Sequence, residues 1–356
     1  MSMPRQQLVA VVLLGVSLAL LGLGASIGSA GLDASALQWL LSHVGYVVSK
    51  GLAPTVDITL QQIIVDIRLP RSLGAWAAGA LLGLAGALAQ GLFRNPLADP
   101  FLLGSAPGAS LGVALALATT AGSAGVFASD IWVRLGLTGA AFAGAVLAVL
   151  LTLVLSRGVQ HTLRLLLAGV VVGVVLGALT QLVLLMSPQS LLAMQAFLLG
   201  STGFVGWDAT VLMWLVWLTC ALVAVSLARA LDALSLGEHT AASLGLPLAP
   251  MRMALVAVLA LATGTAVAQT GLVAFVGLAA PHVVRGLVKA KHSALLWLSS
   301  LMGGVLLLSA DVAARWLIAP QELPVGVLTA VLGGGYLLWL MHRAGASFGL
   351  AGKGAP

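Results

Sequence analysis

Charge is what this sequence lacks most. Only 7% of its 356 residues are charged, while 60% are hydrophobic. A soluble domain carries about a quarter charged residues, so a fold bathed in water is excluded and the solvent must be lipid. Cysteine is nearly absent too. Cys220 stands alone in an apolar run, which rules out an internal disulfide and reads as a small buried hydrophobe. The four lysines, Lys50, Lys289, Lys291 and Lys353, all lie outside any GxxxxGK[ST] phosphate loop, so ATP chemistry must reside in another subunit if it is used. The six histidines show no ligand spacing, and no nucleophile–base arrangement stands out. A non-enzyme without metal or bound cofactor is expected. No basic run resembles a nucleic-acid patch. The net charge of +6 instead fits basic residues gathered in short loops on one membrane side.

What is present is long apolar sequence. A span needs roughly 20 apolar residues, and the stretches here fill about ten: 8–27, 69–89, 101–120, 131–155, 165–186, 209–227, 252–268, 272–288, 294–317 and 325–341. The first is longer than the roughly 7–15 residue apolar core of a signal peptide and reads as a span. The seventh and eighth lie so close around Gln269-Thr270-Gly271 that hydropathy alone could merge them. Ten spans with both termini in the cytoplasm put basic residues inside over outside by about two to one, the sense the positive-inside rule requires. The prediction is a single all-α transmembrane domain over 1–356. Gly79, Gly83 and Gly86 recur at three or four residues, placing them on one helix face where another helix can approach closely.

Polar features interrupt this pattern at a few places. Arg68 and Arg71 open the second span, and Arg94-Asn95-Pro96-Leu97-Ala98-Asp99-Pro100 closes it. That break is too polar for lipid, so its backbone must be buried in protein or lie at a membrane face. A loop over 229–252 carries Leu236-Gly237-Glu238 with Ala241, Leu244 and Gly245, then Pro247. Ala241, Ala242 and Leu244 fit a short helix, with Gly245 and Pro247 as stop signals. Asp311 lies near the end of the ninth span. It reads either as an ion or proton site or, preferred, as the partner of Arg315 one helical turn on. His282, after Pro281, reads as a structural hydrogen-bonding residue.

These pieces, taken in order, resemble the FecCD-type permeases of bacterial type II ABC importers, which serve iron-siderophores, heme and vitamin B12. The resemblance runs from about Leu69 to Met341. It rests on Arg68-Leu-Pro-Arg71, Arg94-Asn-Pro-Leu-Ala98, Leu102-Leu-Gly104, Leu236-Gly-Glu238, Leu244-Gly245, Pro281-His282, Ala310-Asp311, Ala314-Arg315 and Glu322-Leu-Pro324. The resemblance implies that Arg68, Arg71 and Arg315 receive acidic residues of a periplasmic binding protein. It implies that Leu236, Gly237, Glu238, Ala241, Leu244 and Gly245 belong to a coupling helix that enters an ATPase subunit. Asn95, Leu97, Thr162 and Leu163 are implied to form a cytoplasmic gate. Two departures stand out: Ala196-Phe197 precedes Gly200-Ser201 where the family often has an aromatic–tryptophan pair, and Gly333-Gly-Gly-Tyr336 replaces a proline pattern in the last span.

The expected assembly is a homodimer in the bacterial inner membrane, with two ATPase subunits, one periplasmic binding protein and no nucleic acid. Heme is the expected cargo, because the spans offer few charges and suit a large, mostly apolar planar molecule. Ferric siderophore and vitamin B12 are the alternatives. Two other classes would use the same apolar chain: a secondary transporter run on Asp311 or Asp66, and a non-transporting membrane scaffold.

Overall fold

The computed structural model describes residues 4–28, 31–33, 35–36, 38–39, 42, 58–119, 131–156, 162–243 and 246–351. Helices dominate: α1 (Arg5–Ser26), α2 (Ile58–Phe93), α3 (Ser105–Thr119), α4 (Ile131–Leu155), α5 (Thr162–Met186), α6 (Leu191–Leu199), α7 (Trp207–Ser226), α8 (Ala228–Ser235), α9 (Glu238–Ser243), α10 (Leu248–Thr270), α11 (Val276–Leu287), α12 (His292–Trp316) and α13 (Val325–Ala351). A two-residue antiparallel ribbon pairs Ile27–Gly28 with Gly31–Leu32. Among the described residues, seven helices are long and apolar enough to cross a membrane. With the shorter α3, α11 and the apolar part of α13 they make the expected set of about ten.

Helix α2 is the axis of the bundle. From Gly74 to Phe93 every residue is buried, which only an uninterrupted run of apolar and small side chains allows in a helix enclosed on all sides. Lipid tails are as apolar as leucine, so membrane helices associate by close packing and interhelical hydrogen bonds. Glycine supplies the closeness here. A Cβ at Gly83 would lie 2.2 Å from the Ser299 carbonyl oxygen of α12, and one at Gly79 would lie 2.3 Å from that of Gly303. At Gly86 the neighbour is the Gly277 carbonyl of α11, which Pro281 four residues on cannot satisfy because proline has no N–H. The glycine face read from sequence is therefore a three-helix contact of backbone on backbone. Beside it, Trp76 stacks on Trp214 at 4.8 Å, and Trp217 meets both edge-on. The Trp217 indole N–H donates to Ser300 Oγ at 2.6 Å, and Ser300 donates to the Ala80 carbonyl of α2 at 2.9 Å.

Several expected boundaries shift. The second span begins at Ile58, not residue 69, so Arg68 and Arg71 lie within a helix of about 54 Å at 1.5 Å per residue. Gln61, Gln62 and Asp66 hid this extension from a hydropathy reading. The turn Ile63–Arg68 widens to a π-helix immediately before Pro70, where the proline ring would crowd a regular turn. The third span loses its start to a 3-10 turn, Pro100–Leu103, which Asp99 caps by accepting from the Phe101 N–H at 2.8 Å. The seventh and eighth spans are separate, but α11 has only 12 residues, about 18 Å of helix against a hydrocarbon core of about 30 Å. Residues 271–275 complete its depth as irregular backbone. Such backbone survives in a membrane only inside protein. Here Leu272 N–H donates to the Phe197 carbonyl at 3.1 Å, and Ser201 N–H donates to that of Thr270 at 2.8 Å. Gly200, Gly271 and Gly326 meet at this junction. A Cβ on Gly271 would sit 2.4 Å from the Phe197 carbonyl oxygen, and one on Gly200 or Gly326 would sit 2.4 Å from that of Leu272. Helix α6, which feeds it, was not expected: nine residues between two spans, eight of them apolar, carry no signal of their own.

Replacing Gly83 by valine should destabilise the bundle by about 3 kcal/mol or more, because the obstructing atom is backbone and overpacking alone costs 1–3 kcal/mol. Thermal unfolding in detergent checks this. Gly136→Val on α4, where no atom lies within 4 Å, is the control and should melt with the native protein; equal melting of both variants would contradict the packing argument.

Candidate functional site

One cluster of ionic side chains lies at one end of the bundle. Asp311 of α12 is fully buried and lies between two guanidinium groups. Arg315, one turn further along α12, pairs with Asp311 Oδ2. Arg71 of α2 donates from Nε to Asp311 Oδ1 at 3.1 Å, and Thr202 donates its hydroxyl to the same oxygen. Arg71 also reaches Glu322, with Nη1 2.8 Å from Oε2 and 3.1 Å from Oε1. A carboxylate this deeply buried holds its charge only when cations and hydrogen bonds replace its water shell. The preferred sequence reading, an Asp311–Arg315 pair, is half of what the structure contains.

The end of α1 closes the network. A helix C-terminus leaves carbonyls without partners and a partial negative charge. Arg315 Nη1 donates to the Gly24 carbonyl at 2.7 Å and to that of Ile27 at 3.2 Å, and Arg68 Nη1 donates to that of Ala25 at 3.3 Å. Gly24 permits the approach: a Cβ there would lie 2.5 Å from Ser72 Oγ and 3.2 Å from Arg315 Nη2. Arg68 then pairs with Asp33 at 3.3 Å. The Asp33 carboxyl is held below its ordinary range, first by the Ser35 hydroxyl; burial pushes the other way, and the Ala36 N–H and Arg68 each add a smaller lowering. Three arginines thus face three carboxylates, Asp33, Asp311 and Glu322.

The three expected docking residues differ in exposure in this structure. Arg315 is 1% exposed, its donors are spent on Asp311, Ser72 and the α1 carbonyls, and it meets no outside surface. Arg68 and Arg71 keep an edge toward solvent, with side chains 14% and 11% exposed. Asp311, weighed as an ion or proton site, is occupied by its two arginines. Asp66, on the π-helical turn, is exposed at the surface.

At the other end of α2, the break is a sequence of small caps. Arg94 takes a left-handed conformation with φ 50°, and Asn95 accepts from the Leu97 N–H at 3.0 Å. Asn95 thereby spends its side-chain oxygen on the turn, while Leu97 stands 55% exposed and Leu163, at the start of α5, 70% exposed. The Thr162 side chain lies outside the described residues. Gln90 ties the break to α11: its amide donates to the Leu278 carbonyl at 3.2 Å, and its oxygen accepts from Arg285. His282 rests edge-on against Tyr336 at 5.8 Å, a ring contact where the sequence suggested a hydrogen-bonding role.

The segment after α8 carries the expected short helix, α9. Gly237, at φ 110°, makes the turn between them, a conformation open to glycine. Leu236 is 66% exposed. Ala241 is fully buried against Ala233, Leu234, Leu246 and Leu248, so it seats α9 on its own chain and presents no contact outward. The Glu238 side chain, and Leu244 and Gly245 entirely, lie outside the described residues. One contact was invisible in the sequence. Asp232 of α8 accepts from the backbone N–H of His292 at 3.1 Å and lies 2.7 Å from its ring Nδ1, tying the segment before α9 to the start of α12.

Fold and site together define a multi-pass membrane permease: a glycine-packed bundle with ionic chemistry confined to its ends. The sequence matches the FecCD transport family over residues 16–343, and the chain belongs to that family. It is 39% identical over 286 residues to the vitamin B12 import system permease protein BtuC of Escherichia coli O157:H7, covering 79% of this chain and 83% of that protein. A structure described as an inward-facing conformation of a metal-chelate type ABC transporter superposes with a TM-score of 0.73 at 30% identity, over 86% of this chain and 97% of the other. PsaBC from Streptococcus pneumoniae in complex with Fab, at 17% identity and a TM-score of 0.53, shares the fold. The chain is accordingly a permease subunit of a type II ABC importer of the iron-chelate and vitamin B12 group, and ATP hydrolysis lies in a separate subunit.

Asp311→Asn leaves two buried guanidinium groups without their shared anion. The expected loss is about 3–5 kcal/mol, the usual result of breaking a buried ion pair from one side, read as a lowered unfolding temperature in detergent. A variant as stable as the native protein would show that Asp311 is not the anchor of the network.

Proposed function

We propose that this permease works as a homodimer that moves a large tetrapyrrole-derived cargo inward, and that the cargo is vitamin B12. The observation that carries the cargo reading is the 39% identity to a vitamin B12 import permease across 79% of this chain. Heme is the second reading. It rests on the scarcity of charge within the spans, a property that any large apolar-faced macrocycle would exploit.

A periplasmic binding protein docks at the arginine end. Arg68 and Arg71 offer guanidinium forks suited to carboxylates, on the side that the loop charges assign to the periplasm. Arg315 acts from beneath, holding Asp311 and the end of α1 in place. At the opposite end, α9 and the exposed Leu236 meet the ATPase subunit. Leu97 and Leu163 supply apolar bulk that closes the exit by excluding water, with Asn95 shaping the turn that carries Leu97. ATP binding and hydrolysis in the ATPase move α9, and the pore alternates between its two openings.

Reconstitution in liposomes with the partner ATPase and binding protein tests the cargo. Cobalamin should accumulate when ATP is supplied and not otherwise; accumulation of heme or a ferric siderophore in its place would overturn the choice. Charge reversal at both docking positions, Arg68→Glu with Arg71→Glu, should weaken binding-protein association at least tenfold, as expected when charged pairs at an interface become like-charged. Acidic-to-basic changes on the binding protein should restore part of it. Unchanged affinity in the reversed permease would refute the docking assignment.

A further inference from the structure

The arginine end is electrically complete before any partner arrives. A docking carboxylate needs a guanidinium edge, yet Arg71 already places Nη1 on both oxygens of Glu322 and Nε on Asp311. The two acids differ. Asp311 is fully buried on α12 and also carries Arg315 and Thr202, so releasing it would strand charge in the interior. Glu322 lies on the short connection between α12 and α13, and its side chain is 33% exposed. A partly exposed ion pair of this kind is worth only about 0.2–1 kcal/mol. It is the one contact of Arg71 that an incoming acid can replace cheaply.

We propose that Glu322 is an internal stand-in for the partner's acidic residue and sets the affinity of docking by exchange. In the resting permease it holds Arg71 extended and desolvated in the geometry a carboxylate requires. When the binding protein arrives, one of its carboxylates takes Nη1 of Arg71 and Glu322 is released. Asp311 keeps Nε, so Arg71 does not swing. The stand-in prevents Arg71 from gripping any passing anion, and it weakens the true complex by the strength of the pair that is lost. Release has a second consequence on the permease side. Glu322 also lines a cavity of about 270 Å³ walled by Phe197, Ser201, Phe204, Gln269 and Thr270, beside the glycine junction of α6, α10 and α13. A freed carboxylate adds its charge to that wall when the binding protein is seated.

This inference rests on the docking role of Arg71 proposed above, and one experiment separates the two. Binding-protein affinity is measured on the full permease–ATPase complex in nanodiscs for the native chain, Glu322→Gln, Arg71→Ala and the double variant. Exchange predicts that Glu322→Gln tightens docking by about 1.4- to fivefold, the strength of a partly exposed pair. Arg71→Ala should weaken it, and Glu322→Gln should have no effect once Arg71 is gone. Tightening that persists in the Arg71→Ala background would mean that Glu322 merely repels an acidic partner at long range, and would overturn exchange. Unchanged or weaker docking in Glu322→Gln, with Arg71→Ala still impaired, would overturn it as well. Full affinity in Arg71→Ala would sink the docking role itself. Unfolding temperatures for the same four proteins show whether each is folded, and a Glu322→Asp variant, which keeps the charge, should bind like the native chain.

Discussion

The arrangement depends on one buried carboxylate. Asp311 cannot be charged in the interior alone, and each group that neutralises it belongs to a different part of the chain: Arg71 to α2, Arg315 to its own helix, Thr202 to the segment after α6. Arg315 in turn fixes the end of α1 through two carbonyls. A single acid therefore decides where three helices and a connecting segment end relative to one another. The same contacts fix Arg71 through Nε and leave its Nη1 edge to Glu322, nearer the surface.

Below that anchor the bundle is held by closeness instead of charge. Gly79 and Gly83 bring α2 onto α12 until backbone touches backbone, and the Trp217–Ser300–Ala80 chain of hydrogen bonds fixes the register of the pair. Packed interiors do not deform continuously. The regular packing is interrupted at the break after Phe93, the irregular segment 271–275 and the α8–α9 turn. The first and last of these carry residues proposed above for gate and coupling, and the second lies beside Glu322 at the arginine end, while the α2–α12 pair runs unbroken from the arginine cluster to His292 and its contact with Asp232.

Much of this was legible in the sequence, for physical reasons that also mark the limit. The lipid-bathed all-helical fold follows from the scarcity of charge, and the close α2 contact from glycine spacing. The Asp311–Arg315 pair is local, one turn along a helix, so spacing alone could suggest it. Glu322 and Arg71 are 251 residues apart, and Asp232 and His292 are 60 apart; no periodicity links such positions, and only the fold brings them together. The burial of Arg315 was hidden because an arginine at a helix end reads the same whether it faces water or the carbonyls of another helix. The burial of Ala241 was hidden in the same way, since a small residue suits a groove in a partner and a seat on its own chain equally well. The start of α2 was missed because Gln61, Gln62 and Asp66 belong to a part of the helix too polar for a hydropathy reading to count.

The central claim is that the arginine end is a preformed network in which one contact is exchangeable and the others are fixed. A structure of the permease–ATPase complex with its binding protein seated tests it most directly. The account predicts that Asp311 stays bound to both Arg71 and Arg315 while Glu322 moves beyond ion-pair distance of Arg71, about 4 Å, and a carboxylate of the partner takes its place. A complex in which Glu322 still holds Arg71, or in which Arg315 has left Asp311 to meet the partner, would contradict it.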